Sequence, residues 1–133
     1  MEPSAKKQYS ILLVDDDRFL LDMYTLKFKN DGFVVEAIPD SSLALEKLRK
    51  GFVPNIILLD VVMPGLSGFE LLEAVQKEGL AKGAVIIMLS NQGLQEDIDK
   101  GMKLGASGYI IKASSIPSEV LQKTLAIADA KIK

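Results

Sequence analysis

Residues 55–65 read NIILLDVVMPG. Four consecutive apolar side chains, Ile56 to Leu59, predict a short strand buried on both faces, the kind that builds parallel sheets. The run ends on Asp60, a carboxylate placed where burial disfavours charge. Pro64-Gly65 closes the stretch with a pair suited to the central positions of a type II turn. An Asx-turn is the plainest role for Asp60, but an ionisable group at the tip of a buried strand calls for partners, and the rest of the chain has to provide them.

Working outward, the same grammar recurs. Tyr9–Val14 (YSILLV) reads as a buried strand, and Arg18–Asn30 places Leu20, Met23, Tyr24 and Phe28 at helical spacing before Asp31-Gly32 stops the helix. Phe33–Ile38 is short and β-branched, hence a strand. Pro39-Asp40 then turns into a helix bearing Leu45 and Leu48 that ends near Gly51. After the strand at Asn55–Leu59, Ser67-Gly68-Phe69-Glu70 has the pattern of a capping box, with Ser67 capping and Glu70 reaching back. Ala84–Leu89 predicts a fourth strand, Leu94–Leu104 a fourth helix and Ser107–Ile111 a fifth strand. Val120, Leu121, Leu125, Ala128 and Ile132 form the apolar face of a closing helix. Strict alternation of apolar strands with amphipathic helices predicts a doubly wound α/β domain, with a five-stranded parallel sheet covered on both faces by five helices. Residues 1–8 form a polar lead and 9–133 a single domain, undivided by repeats or Gly/Ser-rich linkers.

Composition narrows the chemistry. The 133 residues include 48% hydrophobic side chains, enough for one real core, and 18 acidic against 16 basic residues give a net charge of −2. No basic stripe is present to neutralise a phosphate backbone, which argues against direct nucleic-acid binding. Cysteine and histidine are both absent, so any metal must be held by oxygen. The lead MEPSAKKQYS lacks the apolar region of a signal peptide, and no apolar run approaches the ~20 residues that span a bilayer. The expectation is a soluble, cytoplasmic protein that does not engage membranes.

In such sheets ligands bind beyond the carboxyl ends of the strands, where strand order reverses. The first strand ends in Asp15-Asp16-Asp17, the third in Asp60, the fourth in Ser90 and the fifth in Lys112; the second ends in Pro39, a poor site member. With strand order 2-1-3-4-5, the first and third tips are neighbours. Two carboxylates at 4 Å repel by about 1 kcal/mol in water and about 4 kcal/mol at an effective dielectric near 20. A hard divalent cation offsets this best, Mg²⁺ above all, with Mn²⁺ as a substitute. Lys112 adds a second positive point. The set suits a phosphoryl group, with Asp60 as metal ligand or nucleophile. Plainer roles stand beside these: Asp17 as a helix cap, Ser90 as the cap of the fourth helix, Lys112 as a solvated lysine, Tyr109 as core, and Gly65 and Gly68 as backbone devices for a tight turn and a close helix approach.

The segments ILLVDDD, IILLDVVMPGLSGFELL, IIMLSN and GASGYIIK, in this order and spacing, resemble the receiver domain of two-component response regulators over almost the whole chain, in the manner of single-domain chemotaxis regulators. The resemblance implies a flavodoxin-like fold and a phosphorylation-dependent switch in phosphorelay signal transduction rather than an enzyme acting on an outside substrate. It implies that Asp60 accepts a phosphoryl group from a phosphohistidine on a sensor kinase or phosphotransfer protein. Asp16, Asp60 and the main-chain oxygen of Val62 then ligate Mg²⁺, Asp15 acts mainly through water, and Lys112 contacts the phosphoryl group. Ser90 is the hydroxyl that moves toward the phosphate, Tyr109 the aromatic whose rotamer follows, and the fourth helix, fifth strand and fifth helix form the readout for a downstream protein target or output domain.

Two departures from the family pattern carry expectations. Ala113 stands where receivers have a proline after the lysine, and a cis bond without proline costs about 2.5–4 kcal/mol. A trans Lys112–Ala113 bond and a reshaped loop through Ser115 follow. Val62 and Gln92 flank the position where side chains tune dephosphorylation; valine cannot orient a water, whereas glutamine can. Asp15 and Asp17 also spell the D-x-D of haloacid-dehalogenase phosphatases, but Phe19 stands where that family has threonine or valine and the chain has no room for a cap domain. A third reading, a degenerate receiver serving only as an interaction module, sits poorly with the intact acids, Ser90 and Lys112. The sequence stops at Lys133, as the fifth helix should finish, which fits a single-domain regulator or a receiver cut from a longer protein. The absence of an obvious charged dimerisation set on the fourth and fifth helices predicts a monomer.

Overall fold

The computed structural model describes residues 8–91, 93–112 and 116–132, and over these the chain alternates five strands with five helices. They are β1 (Ser10–Val14), α1 (Arg18–Asn30), β2 (Val34–Ile38), α2 (Ser41–Arg49), β3 (Ile56–Asp60), α3 (Gly68–Glu78), β4 (Val85–Ser90), α4 (Gln95–Lys103), β5 (Gly108–Ile111) and α5 (Pro117–Ile132). All pairings are parallel and the order is β2-β1-β3-β4-β5. The expected boundaries hold within a residue or two. The consequential difference is that β3 and β4 each run one residue further, so that Asp60 and Ser90 are the last residues of their strands.

Successive strand residues point to opposite faces, and both faces are covered. Leu12, Val14, Ile57, Leu59, Ile86 and Met88 lie under α2 and α3, which contribute Ala44, Leu48, Leu71, Leu72 and Val75. Ile11, Leu13, Ile56, Leu58, Ile87 and Ile110 lie under α1 and α5, which contribute Leu21, Tyr24, Phe28, Val120 and Leu121. This is why β3, central in the sheet, is buried at every position. No helix among the described residues is long and apolar enough to cross a membrane.

Local signals place the helices at the strand tips. Asp17 Oδ1 accepts from the Leu20 amide at 3.1 Å and Asp40 from the amides of Ser42 and Leu43, capping α1 and α2. Ser67 and Glu70 close a reciprocal capping box on α3, at 3.2 and 2.9 Å. Ser90 does not cap α4: the N-cap is Leu94, without a side-chain bond, while Ser90 is buried at the end of β4. The helix-cap role that the sequence allows for this serine is thus not the one it takes. Gly65 takes φ +76°, the left-handed value that the second central position of a type II turn demands. The Lys112–Ala113 bond, the loop through Ser115, and Gln92 lie outside the described residues.

The most demanding glycine is Gly68. A β-carbon there would stand 2.1 Å from the Asp60 carbonyl oxygen and 2.9 Å from Val61 Cα, both backbone atoms that cannot swing aside. Gly68 N also donates to Val61 O at 2.9 Å, which ties the start of α3 to the tip of β3. Gly68→Ala is expected to lower unfolding stability by about 1–3 kcal/mol, as overpacking does. Urea denaturation of the two proteins measures it, and an unchanged midpoint would show that the loop yields freely.

Candidate functional site

Strand parity gathers the site. Ile11 and Leu13 face α1 and α5, and Asp15 continues their alternation beyond β1. Asp60 continues that of Ile56 and Leu58, and Lys112 that of Ile110. The register sets Val14 beside Leu59, so the acidic tips of β1 and β3 are adjacent. Lys112 crosses from β5 at the sheet edge to complete the group. Its Nζ lies 3.0 Å from Asp15 Oδ2 and 3.4 Å from Asp60 Oδ1, and the three side chains are only 6%, 3% and 7% exposed.

The expected acidic cluster is assembled in part by these two and in part by Asp16. One carboxylate oxygen from each of Asp15, Asp16 and Asp60 lies within 4.8 Å of the others, with Asp16 on the exposed side. Asp17 stands apart as the α1 cap, so the D-x-D pair of the phosphatase reading does not act as a unit. Asp15 Oδ1 is further oriented by the Asp17 amide at 3.0 Å. An all-oxygen donor set with two buried carboxylates fits a hard divalent cation of the Mg²⁺ type.

The electrostatics are tense. Burial, and then the neighbouring Asp15 charge, push the Asp60 carboxyl up from 3.8 to about 7, with Lys112 opposing. Burial pulls the Lys112 ammonium down, but Asp15 and Asp60 outweigh it and the net shift is upward. One ammonium serves two buried acids.

Ser90 and Tyr109 occupy the other face. Ser90 follows Ile86 and Met88 in parity, and Tyr109 pairs with Met88 in the β4–β5 register. Tyr109 is half-buried beside Gly101, the one buried residue of α4, whose β-carbon would meet Met88 Cγ at 3.3 Å and Tyr109 Cδ2 at 3.6 Å. Val62 projects into solvent, 75% exposed. Tyr24 was assigned from the sequence only to the apolar face of α1, yet its phenol stands in the field of Lys112, Asp15 and Asp60. The signal that would have found it is its place on the inward stripe, with Leu21 and Phe28, of the helix that begins beside the acidic tip of β1.

Because the folded-state pKa of Asp60 lies above its unfolded value, the native state binds the extra proton, and this group's contribution to stability falls as pH rises from about 4 to about 7. In metal-free protein Asp60→Asn is therefore expected to raise stability at pH 7.5 by about 2 kcal/mol, with the gain shrinking toward pH 4. Thermal denaturation at the two pH values checks this, and destabilisation at pH 7.5 would contradict it.

Comparison with known proteins agrees with this geometry. The family described as "Response regulator receiver domain" matches residues 11–125. The DNA-binding response regulator MtrA of Mycolicibacterium smegmatis is 32% identical over 116 residues, covering 87% of this chain and 49% of that protein. The transcriptional regulatory protein CseB of Streptomyces coelicolor is 36% identical over 105 residues, covering 79% and 43%. The chain thus spans about half the length of these curated relatives. Among solved structures, the chemotaxis protein CheY4 of Vibrio cholerae superposes with a TM-score of 0.82 at 29% identity, covering 91% of this chain and 99% of that one. A CheY-like receiver domain protein from Methanospirillum hungatei does so with 0.82 at 30% identity, covering 94% and 97%. With the family matching residues 11–125 and a closely superposing fold, the chain belongs to the response regulator receiver domain family.

Proposed function

We propose that residues 9–133, behind a polar lead of residues 1–8, form a receiver that takes a phosphoryl group onto Asp60 and uses it to switch the surface of α4, β5 and α5. The observation that carries this reading is the buried Asp15–Lys112–Asp60 group. A carboxylate oxygen of Asp60 attacks the phosphorus of a partner's phosphohistidine, the P–O bond forms as the P–N bond breaks, and the imidazole leaves with the electron pair. Asp16, Asp60 and the main-chain oxygen of Val62 would hold Mg²⁺ or Mn²⁺, with Asp15 acting mainly through water. When bound, the cation supplies the positive charge that keeps Asp60 ionised and offsets charge on the phosphoryl oxygens. Lys112, 3.4 Å from the acceptor carboxylate, stabilises those oxygens from the protein side. Burial of the acceptor limits the water that would hydrolyse the product.

The added negative charge draws Ser90 inward, and Tyr109 fills the space released. α4 suits the moving part, because Gly101 is its sole buried residue. The partners on this reading are a sensor histidine kinase or histidine phosphotransfer protein upstream and a protein target or output domain downstream, all in the cytoplasm. The domain itself is monomeric, contacts neither nucleic acid nor membrane, and catalyses only its own phosphorylation and dephosphorylation.

Incubation with acetyl phosphate and Mg²⁺, followed by mass spectrometry, is expected to add one phosphoryl group to the wild type at Asp60 and none to Asp60→Ala or to protein in excess EDTA. Lys112→Ala is expected to slow the reaction by at least about tenfold. Absence of modification in the metal-loaded wild type, or a label on another residue, would sink the reading.

A further inference from the structure

The inward stripe of α1 is Leu21, Tyr24 and Phe28. Leu21 and Phe28 are plain core, whereas Tyr24 has a polar tip and is 2% exposed. It belongs to the sheet face that carries Asp15, Asp60 and Lys112 at its upper edge. α1 starts at Arg18, directly after the acidic tip of β1, so Tyr24 lies six positions into the helix, about 9 Å along its axis. Helical side chains lean toward the N-terminus, which aims the phenol back at the strand tips. The electrostatics agree with this placement. Burial raises the Tyr24 pKa first, the Lys112 charge opposes it, and Asp15, Asp60 and Asp17 add to it.

Lys112 has a demanding path. Its stem starts just past the end of β5 and its ammonium ends at the tip of β1, on the far side of β4 and β3. A lysine has a long flexible stem, and holding it in one direction carries an entropic cost. Its two carboxylate partners are also two of the three acids of the cation cluster. When their oxygens turn to a cation, a buried ammonium needs another acceptor, because leaving it unpaired is costly. A tyrosine hydroxyl is a neutral acceptor that does not compete for the metal.

We propose that Tyr24 is a positioning residue for Lys112: its ring bounds the lysine stem on the α1 side, and its hydroxyl accepts an ammonium N–H when Asp15 and Asp60 engage a cation or a phosphoryl group. The consequence for phosphorylation rests on the phosphoacceptor reading above, while the aim of the lysine is measurable without it. Tyr24→Phe keeps the ring and removes only the hydroxyl.

The test is NMR of isotope-labelled lysine in wild type, Tyr24→Phe and Tyr9→Phe, each titrated with Mg²⁺, with acetyl phosphate labelling run in parallel. Tyr9→Phe is the control: it deletes the hydroxyl of another core tyrosine on the same face, which donates to Asp129 at 2.6 Å, near the end of α5. Tyr24→Phe is expected to shift the Lys112 side-chain resonances in the Mg²⁺-loaded protein and to slow labelling of Asp60 about fivefold. Tyr9→Phe is expected to lower stability while leaving the Lys112 signal in place. Lys112 resonances that coincide in wild type and Tyr24→Phe overturn the proposal, as do resonances that move without a change in labelling rate where the wild type is labelled. A shifted Lys112 signal in a protein whose wild type takes no phosphoryl group supports the positioning role and defeats the phosphoacceptor reading.

Discussion

Two acids and one ammonium share a water-poor crevice at the strand tips, and the properties of the site follow from that imbalance. Lys112 bridges Asp15 and Asp60 at 3.0 and 3.4 Å, but one positive charge cannot satisfy two buried carboxylates. The residual strain appears as an Asp60 carboxyl that keeps its proton to about pH 7. Such a group is primed for whatever brings more positive charge, and the exposed Asp16 leaves an approach for it on the solvent side. The domain tolerates a locally unfavourable arrangement because that arrangement is useful.

Tolerance requires a stiff base. Every residue of β3 is buried, with apolar side chains packed above and below, so the strand bearing Asp60 has no freedom to relieve the repulsion by retreating. The loop behind it is equally constrained. Gly65 supplies a left-handed turn, and Gly68 lets the start of α3 come within a backbone contact of Asp60 itself. The capping box of Ser67 and Glu70 finishes the clamp. Packing energy gathered across the sheet thus holds the electrostatics in place.

The two faces of the sheet divide the labour. Asp15, Asp60, Lys112 and Tyr24 lie on the α1–α5 face, whereas Ser90 and Tyr109 share parity with Met88 on the face that carries α4. Chemistry on one face and a lightly anchored helix on the other meet at the strand tips, separated by the thickness of one sheet.

Much of this was legible in the chain itself. Apolar runs of strand length alternating with helical stripes require a covered parallel sheet, because only that arrangement buries both sides of segments such as IILL. The caps at Asp17, Asp40 and Ser67 are local hydrogen-bonding chemistry and need no tertiary context. Strand ends likewise nominate Asp15, Asp16, Asp60 and Lys112, since a parallel sheet puts every carboxyl end on one edge. What only the tertiary structure decided is which atoms meet. Parity and register separate Asp15, turned inward to Lys112, from Asp17, turned to its own helix, although both stand in one run of identical residues. They also place Ser90 at a buried strand end rather than at a helix cap, and bring the phenol of Tyr24 into the field of a lysine far along the chain. Sequence patterns report the environment that each residue needs, whereas distances between remote side chains follow from how the strands are aligned.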